Sequence, residues 1–157
     1  MHNPDWEKPM DPDAPLPFAL DRWVDLAPFE RMLGMRIESS GDGEAVLTMP
    51  FTVKLAQGMG LLHGGALTSL ADTAAAMAIK TMLPEGTHFA TVEMTTRFLA
   101  PVRGGRVSAR AKAGRDGDEE RTYKAEVLVM DGDEAVVAEF WSEFRLAREQ
   151  KTDKLLI

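Results

Sequence analysis

The longest run of regularly spaced hydrophobic positions in the chain has the period of an α-helix. Between the glycines at 64–65 and the proline at 84, apolar side chains recur every three or four residues, at Leu67, Leu70, Ala74 and Met77. This spacing predicts one long central helix that begins at Gly64 and stops by Pro84. No Ser, Thr, Asp or Asn stands in the loop just before Gly64, so we expect a helix start without the usual side-chain cap.

Strand patterns lie on both sides of this helix. Residues 35–40 and 44–49 predict a hairpin around the glycine-rich turn at 41–43, and a short helix over 25–33, closed by Gly34, precedes it. After the long helix come four strand-type segments, at 89–99, 106–113, 121–130 and 135–146. In the first of these, strict alternation places Thr91 on the face that carries Glu93 and Arg97, and Met94 and Phe98 on the other face.

This order of elements predicts an α+β protein, and a single antiparallel sheet of about five to six strands wrapped around one helix satisfies it. We expect a proline-rich arm over residues 1–20, one domain over 21–147 and a loose tail over 148–157. An isolated copy of such a sheet would leave strand edges unpaired, so we expect the chain to dimerise.

Composition narrows the possible partners. The chain has 157 residues, 45% of them hydrophobic and 27% charged, which is typical of one globular domain. A net charge of −7 argues against nucleic acid and anionic membrane surfaces as partners. The absence of cysteine excludes disulfides, thiolate metal sites and a cysteine nucleophile. The first residues show no basic start followed by an apolar run, so we expect no signal peptide, no membrane span and a cytoplasmic location.

The chemistry is concentrated at the start of the long helix. His63, Gly64 and Gly65 lead into it, and glycines there leave backbone amides open to an anion or a polarised carbonyl oxygen. Asp72, eight residues later, is the only acidic residue between Glu44 and Glu85. Eight residues of helix span about 12 Å, which is too far for one carbonyl group to touch both Gly64 and Asp72. If both act on one substrate, they must come from different subunits.

The pattern His-Gly-Gly, six residues, Asp and an alanine-rich helix resembles the hotdog-fold thioesterases of the phenylacetate-pathway (PaaI) type. The resemblance covers about Phe29 to Leu146, and Gln57 stands where that family commonly has Asn. It implies a hotdog fold and hydrolysis of acyl-coenzyme A thioesters, with coenzyme A as part of the substrate and no metal or organic cofactor. It also implies a homodimer, paired further into a dimer of dimers, with active sites at the dimer interface.

The same resemblance implies roles for individual residues. The Gly64 amide stabilises the oxyanion, Asp72 is the general base or the nucleophile, and Thr91 supplies a hydroxyl near the attacking water. His63 is a further candidate catalytic residue, expected to shape the loop and to hold the thioester or its neighbours rather than to transfer protons. Four residues are expected at the substrate, namely Gln57, Leu62, Gly65 and Met94. Three arginines are candidates for the phosphates of coenzyme A, namely Arg97, Arg103 and Arg106.

Two other functions fit the same fold. A hotdog hydratase or dehydratase would need a His and an Asp at one carbon-carbon bond, and nothing in the sequence places His88 near Asp72. A non-catalytic acyl-coenzyme A sensor would need an attached DNA-binding segment, which the acidic, proline-rich arm does not resemble. Aromatic and medium-chain acyl groups are both compatible with the apolar residues of the loop and helix.

Overall fold

The computed structural model describes residues 4–148, in which one antiparallel sheet of six strands wraps around a long helix. The strands lie in the order β1-β2-β4-β5-β6-β3. The predicted α+β architecture is therefore confirmed. In chain order the elements are α1 (Pro28–Met32), β1 (Arg36–Gly41), β2 (Glu44–Pro50), α2 (Gly64–Lys80), β3 (Phe89–Phe98), β4 (Arg106–Arg115), β5 (Thr122–Met130) and β6 (Val136–Leu146).

The core lies between α2 and the inner face of the sheet. The predicted helical positions are confirmed as core positions, because Leu67, Leu70, Ala74 and Met77 are all buried. Alanines on the same side of the helix let the backbone of α2 approach the sheet closely. Large side chains from the strands fill the space on the other side, among them Leu47, Met49, Val127, Phe140 and Phe144.

Both helices are shorter than the sequence pattern indicates. α2 ends at Lys80, four residues before Pro84, and the Thr81 hydroxyl then donates a 2.7 Å hydrogen bond to the Ala78 carbonyl. α1 begins only at Pro28, because proline fits the first helical position, where its missing N–H costs nothing. Gly34, with a φ of +78°, follows the end of α1 as predicted.

Trp23 connects the segment before α1 to the end of α2 through side-chain contacts. Its indole N–H donates a 2.9 Å hydrogen bond to the carbonyl of Lys80, and the Lys80 ammonium donates one of 2.9 Å to the carbonyl of Trp23. The ammonium also lies 4.8 Å from the centre of the indole ring. These contacts hold the segment before α1 at the C-terminal end of the long helix.

Strand β3 contains an irregularity that the sequence pattern does not show. Its pairing with β6 shifts register between Thr91 and Glu93, so that Val92 is an extra residue. Thr91 pairs with Phe144, and Met94 pairs with Ser142. The side chains of Phe144 and Ser142 are both buried on the inner face of the sheet. The prediction that Thr91 shares a face with Glu93 is therefore wrong. The bulge turns Thr91 to the side of the sheet that faces α2.

Part of the predicted domain organisation falls outside the structure. Of the tail predicted over 148–157, only Arg148 is among the described residues. The boundaries at 20 and 147 stay predictions. Within residues 4–148, no helix has both the length and the apolar character needed to cross a membrane.

Candidate active site

One face of α2 runs alongside β3 and carries Gly64, Thr68 and Asp72 at intervals of four residues. Near the start of the helix, the Phe98 ring lies so close to Gly64 that a Cβ atom there would be 3.0 Å from it. One turn further, the hydroxyls of Thr68 and Thr96 are 3.0 Å apart and share a hydrogen bond. The groups available to contact a substrate therefore lie in one row between α2 and β3.

Asp72 lies about two turns of α2 after Gly64. It contacts Thr91, the β3 residue whose side chain the bulge turns toward the helix. The Thr91 hydroxyl donates a 2.9 Å hydrogen bond to Oδ1 of Asp72. The sequence predicted that these two residues act together, and the structure places them in contact. Their pairing depends on the extra residue in β3, since an unbroken strand would point Thr91 away from the helix.

Burial raises the pKa of the Asp72 carboxyl above its ordinary value. The hydrogen bond from Thr91 lowers this pKa, and the negative charge of Glu30 on α1 raises it. A carboxylate that is half-buried and made more basic is suited to take a proton from water. Sequence reasoning missed the effect of Glu30, because it depends on the packing of α1 against α2, which no local pattern in the chain indicates.

The start of α2 is capped, contrary to the prediction. Nδ1 of His63 accepts a 2.8 Å hydrogen bond from the backbone N–H of Gly65, so His63 takes the place of the usual Ser, Thr, Asp or Asn. A Cβ atom at Gly65 would lie 2.9 Å from this nitrogen, which explains the second glycine. The Gly65 amide is thereby used, whereas that of Gly64 has no acceptor among residues 4–148.

A cavity of about 360 Å³ opens beside the free amide of Gly64. Gln57 and Leu62, both predicted at the substrate, line it together with Phe98 and Val102. The side-chain oxygen of Gln57 accepts a hydrogen bond from the Met59 amide, which leaves its NH₂ group as a donor. The rest of the lining is apolar and consists of Leu61, Leu67, Leu99, Ala100 and Pro101.

His63 and Gly65 do not share this cavity. They border a second hollow of about 350 Å³ on another side of the helix start, together with Phe29, Leu33 and Lys54. His63 is exposed there, and its Nδ1 is engaged as a hydrogen-bond acceptor. This placement agrees with a role in shaping the loop.

The remaining predicted residues are spread around the site. Met94 lies on the helix side of β3 and is 45% exposed. Arg97 lies on the outer face of the sheet, 3.7 Å from a carboxylate oxygen of Glu139 and over the Trp141 ring. Arg103 is exposed and directly follows Val102 of the cavity.

Arg106 begins β4 and donates a 3.3 Å hydrogen bond to the Thr48 hydroxyl. Of the three candidate arginines, Arg103 is therefore the one whose neighbour in the chain lines the cavity.

In the described part of the chain, no three His, Cys, Asp or Glu side chains are grouped so as to hold a metal ion.

This geometry can be compared with that of known proteins. Residues 59–138, which include the helix start, Asp72 and Thr91, match the family model described as the thioesterase superfamily. The chain belongs to the thioesterase superfamily. The sequence-based resemblance is confirmed, and the sheet around one long helix is the hotdog fold of this superfamily.

Individual members of the superfamily support this assignment. The acyl-coenzyme A thioesterase PaaI of Escherichia coli is 34% identical over 99 residues, which are 62% of this chain and 69% of that protein. The solved structure of E. coli PaaI superposes with a TM-score of 0.69 at 30% identity, over 76% of this chain and 84% of that one. A conserved protein of Pseudomonas aeruginosa gives a TM-score of 0.74 at 27% identity, over 80% and 98%.

The match to some curated relatives is shorter. Relatives from Halobacterium salinarum and Haemophilus influenzae are 36% and 37% identical over 46% and 50% of this chain. The chain spans about half the length of these two proteins, 51% and 57% respectively.

Proposed function

We propose that this thioesterase-superfamily protein hydrolyses acyl-coenzyme A thioesters to a free acid and coenzyme A. One observation carries the proposal. The half-buried carboxylate of Asp72, held by Thr91, lies on the same helix face as the unused amide of Gly64. The amide can donate a hydrogen bond to the oxygen of an electrophilic carbonyl group, and the carboxylate can take a proton from the attacking water. The name and the likeness of E. coli PaaI support the same chemistry.

In the proposed reaction, the Gly64 N–H donates a hydrogen bond to the thioester oxygen, and the dipole of α2 stabilises the negative charge that develops there. Asp72 takes a proton from water while the water oxygen bonds to the carbonyl carbon. The carbon-sulfur bond then breaks, and the thiolate of coenzyme A receives the proton that Asp72 took from water. The chemistry uses water and protein groups alone, so it requires no metal or organic cofactor.

The general-base role is favoured over a nucleophilic one by the surroundings of Asp72. Thr91 occupies Oδ1, and burial raises the pKa of the carboxyl, both of which suit an oriented base. A single turnover in H₂¹⁸O tests for a covalent anhydride that water opens at the Asp72 carboxyl. A general base leaves ¹⁸O in the released acid only, whereas a covalent anhydride opened at the Asp72 carboxyl would leave ¹⁸O in the protein.

The proposed active unit is a homodimer. Gly64 and Asp72 are eight residues apart on one rigid helix, about 12 Å, so each catalytic centre would combine Gly64 of one subunit with Asp72 of the other. The outer edge of β3 has no partner strand in the described part of the chain. Three apolar side chains of this edge strand are exposed, namely Val92, Met94 and Phe98. A second copy would cover them, and two such dimers would pair into a tetramer.

The cavity beside Gly64 is the proposed site of the acyl group. Its apolar lining favours an aromatic or medium-chain aliphatic group, and the free NH₂ of Gln57 would donate to the substrate. Arg103, at the rim, is the best placed of the predicted arginines to contact coenzyme A phosphate. The cytoplasmic location stays a prediction.

A panel of acyl-coenzyme A compounds tests the function. We expect release of free thiol, with aromatic or medium-chain substrates preferred over acetyl-coenzyme A. Saturable binding without thiol release would identify a binding protein instead. Addition or loss of water at a carbon-carbon bond, with the thioester intact, would identify a hydratase or dehydratase.

A further inference from the structure

Two hydroxyl groups bridge α2 and β3 midway between the proposed catalytic groups. The Oγ1 atoms of Thr68 and Thr96 are 3.0 Å apart, and both side chains are half-buried. Thr68 stands four residues after Gly64 and four before Asp72, on the same face of the helix. One hydrogen bond between two hydroxyls uses only one of their two protons. The pair therefore keeps one donor that has no acceptor among residues 4–148.

The position of Thr68 in the proposed dimer follows from symmetry. If Gly64 of each copy faces Asp72 of the other, a two-fold axis relates the two catalytic centres, and the point midway between them lies on that axis. Residue 68 is the midpoint between 64 and 72 in each helix, so both copies of Thr68 lie at the axis. Each α2 then runs antiparallel to its copy, with the face that carries Thr68 toward it.

The exposure of α2 agrees with this orientation. Leu67 and Ala71, on the neighbouring face, are buried against the sheet, whereas Thr68 and Asp72 are only half-covered in the single chain. The adjoining part of β3 also exposes apolar surface, including the Phe98 ring. The Thr68 face is therefore a part of the helix that a second copy can still cover.

We propose that Thr68 lies on the two-fold axis opposite its own copy, and that its hydroxyl pair with Thr96 sets the register of the two α2 helices. The inference rests on the proposed function, because it uses the pairing of Gly64 with Asp72 across the dimer. Two Thr68–Thr96 pairs that meet at the axis close a ring of four hydroxyls, in which each hydroxyl donates one hydrogen bond and accepts one. Thr68 is thus a positioning residue, which holds each Gly64 amide opposite Asp72 of the other copy.

Single-cysteine cross-linking tests this position, because the chain has no cysteine of its own. Thr68→Cys places two thiols opposite each other, so mild oxidation should convert most of the protein to a covalent dimer. Ser69→Cys is the matched control, since the next side chain of a helix points about 100° away and should give no covalent dimer. A short bis-maleimide reagent detects thiols that are close but not aligned for a disulfide. If Thr68→Cys forms neither product, the inference is overturned.

The role in register predicts a loss of turnover rather than of substrate binding. Thr68→Val keeps the β-branched shape but opens the hydroxyl ring, so kcat should fall about tenfold while KM stays within about twofold of wild type. Thr68→Ser restores the hydroxyl and should recover most of the lost kcat. A lower melting temperature with the wild-type kcat would show a structural role only, and a raised KM with the wild-type kcat would place Thr68 at the substrate. Either result overturns the inference.

If Thr68→Cys does not fold, opposite charges provide a second test of the position. Because Thr68 is half-exposed in the single chain, Thr68→Lys and Thr68→Glu place their charge at the surface of the subunit. Each variant alone should be monomeric, since like charges meet at the axis, and an equal mixture should form dimers in size-exclusion chromatography. Dimers of either variant alone, or monomers in the mixture, overturn the inference. A wild-type protein that hydrolyses no acyl-coenzyme A overturns the proposed function instead, whatever the cross-linking shows.

Discussion

The Thr91 hydroxyl on β3 donates a 2.9 Å hydrogen bond to Oδ1 of Asp72 on α2. This contact exists because the bulge at Val92 turns Thr91 toward the helix. It fixes the orientation of the carboxylate and partly offsets the effect of burial on its pKa. One irregular residue in an edge strand therefore determines how the proposed general base is presented to water.

Asp72→Asn should lower kcat by at least ~100-fold, because an amide cannot accept the proton of the attacking water. The side chains are nearly isosteric, and the Asn oxygen can still accept the hydrogen bond from Thr91. Thiol release measured on the best substrate checks this, with circular dichroism to show that the variant is folded. Turnover at the wild-type rate would exclude Asp72 from the mechanism.

The same substitution should stabilise the protein at neutral pH. The pKa of Asp72 is raised in the folded state, so folding favours the protonated carboxyl, and the stability it contributes is lost as pH rises through the folded pKa. Asn removes this charge. The melting temperature of Asp72→Asn should exceed that of wild type at neutral pH, and the difference should shrink as pH falls below the ordinary pKa of Asp, about 3.9. A lower melting temperature at neutral pH would show that the ionised Asp72 carboxylate does not destabilise the folded protein.

Thr91→Val should reduce kcat about tenfold, since it removes the hydrogen bond that orients the carboxylate but keeps the β-branched shape. The lost donor also raises the pKa of Asp72, so the acid limb of the profile should move to higher pH. Thr95→Val is the matched control, because Thr95 lies on the outer face of the same strand, opposite Trp141. Equal losses of kcat in both variants would mean that Thr91 stabilises the strand and does not orient Asp72.

His63→Asn tests whether this residue caps α2 or transfers protons. Asn is a good helix cap, so it should preserve stability and keep turnover within about threefold of wild type. His63→Ala should instead lower the free energy of unfolding by about 1 kcal/mol, because the Gly65 amide loses its acceptor. Chemical denaturation and initial rates measure both quantities. Loss of activity in the stable Asn variant would give His63 a catalytic role.

The elements that the sequence predicts well are those with strong periodicity. Leu67, Leu70 and Ala74 belong to one uninterrupted helical pattern, and their burial follows from it. The separation of Gly64 from Asp72 was also predictable, since it depends only on the rise of a helix. The family motif lies in the same stretch, so the sequence alone predicts where the candidate site lies.

The features that escaped prediction depend on contacts between distant segments. The bulge at Val92 arises from the pairing of β3 with β6, and no local pattern marks one extra residue. The charge of Glu30 on α1 raises the pKa of Asp72 on α2, an effect between two separate helices. The cap at His63 was missed because histidine is not among the residues that usually begin helices.

We propose that each catalytic centre combines Gly64 of one subunit with Asp72 of the other. Gly64→Pro removes the proposed oxyanion donor at the first helical position, where proline is tolerated, and His63 already has the extended backbone that precedes proline. The three atoms nearest to a Cβ atom at this site all belong to the Phe98 ring, which is 54% exposed and can move. Gly64→Ala adds the same Cβ atom but keeps the N–H, so it serves as the control and should retain most activity.

The decisive measurement mixes Gly64→Pro with Asp72→Asn by joint unfolding and refolding. Each variant alone should be nearly inactive, but a heterodimer has one centre with both residues intact. Random pairing makes about half of the dimers mixed, so thiol release should recover to roughly a quarter of the wild-type rate. If mass spectrometry confirms subunit exchange and the mixture stays as inactive as its parents, Gly64 and Asp72 do not meet across the interface and the account is contradicted.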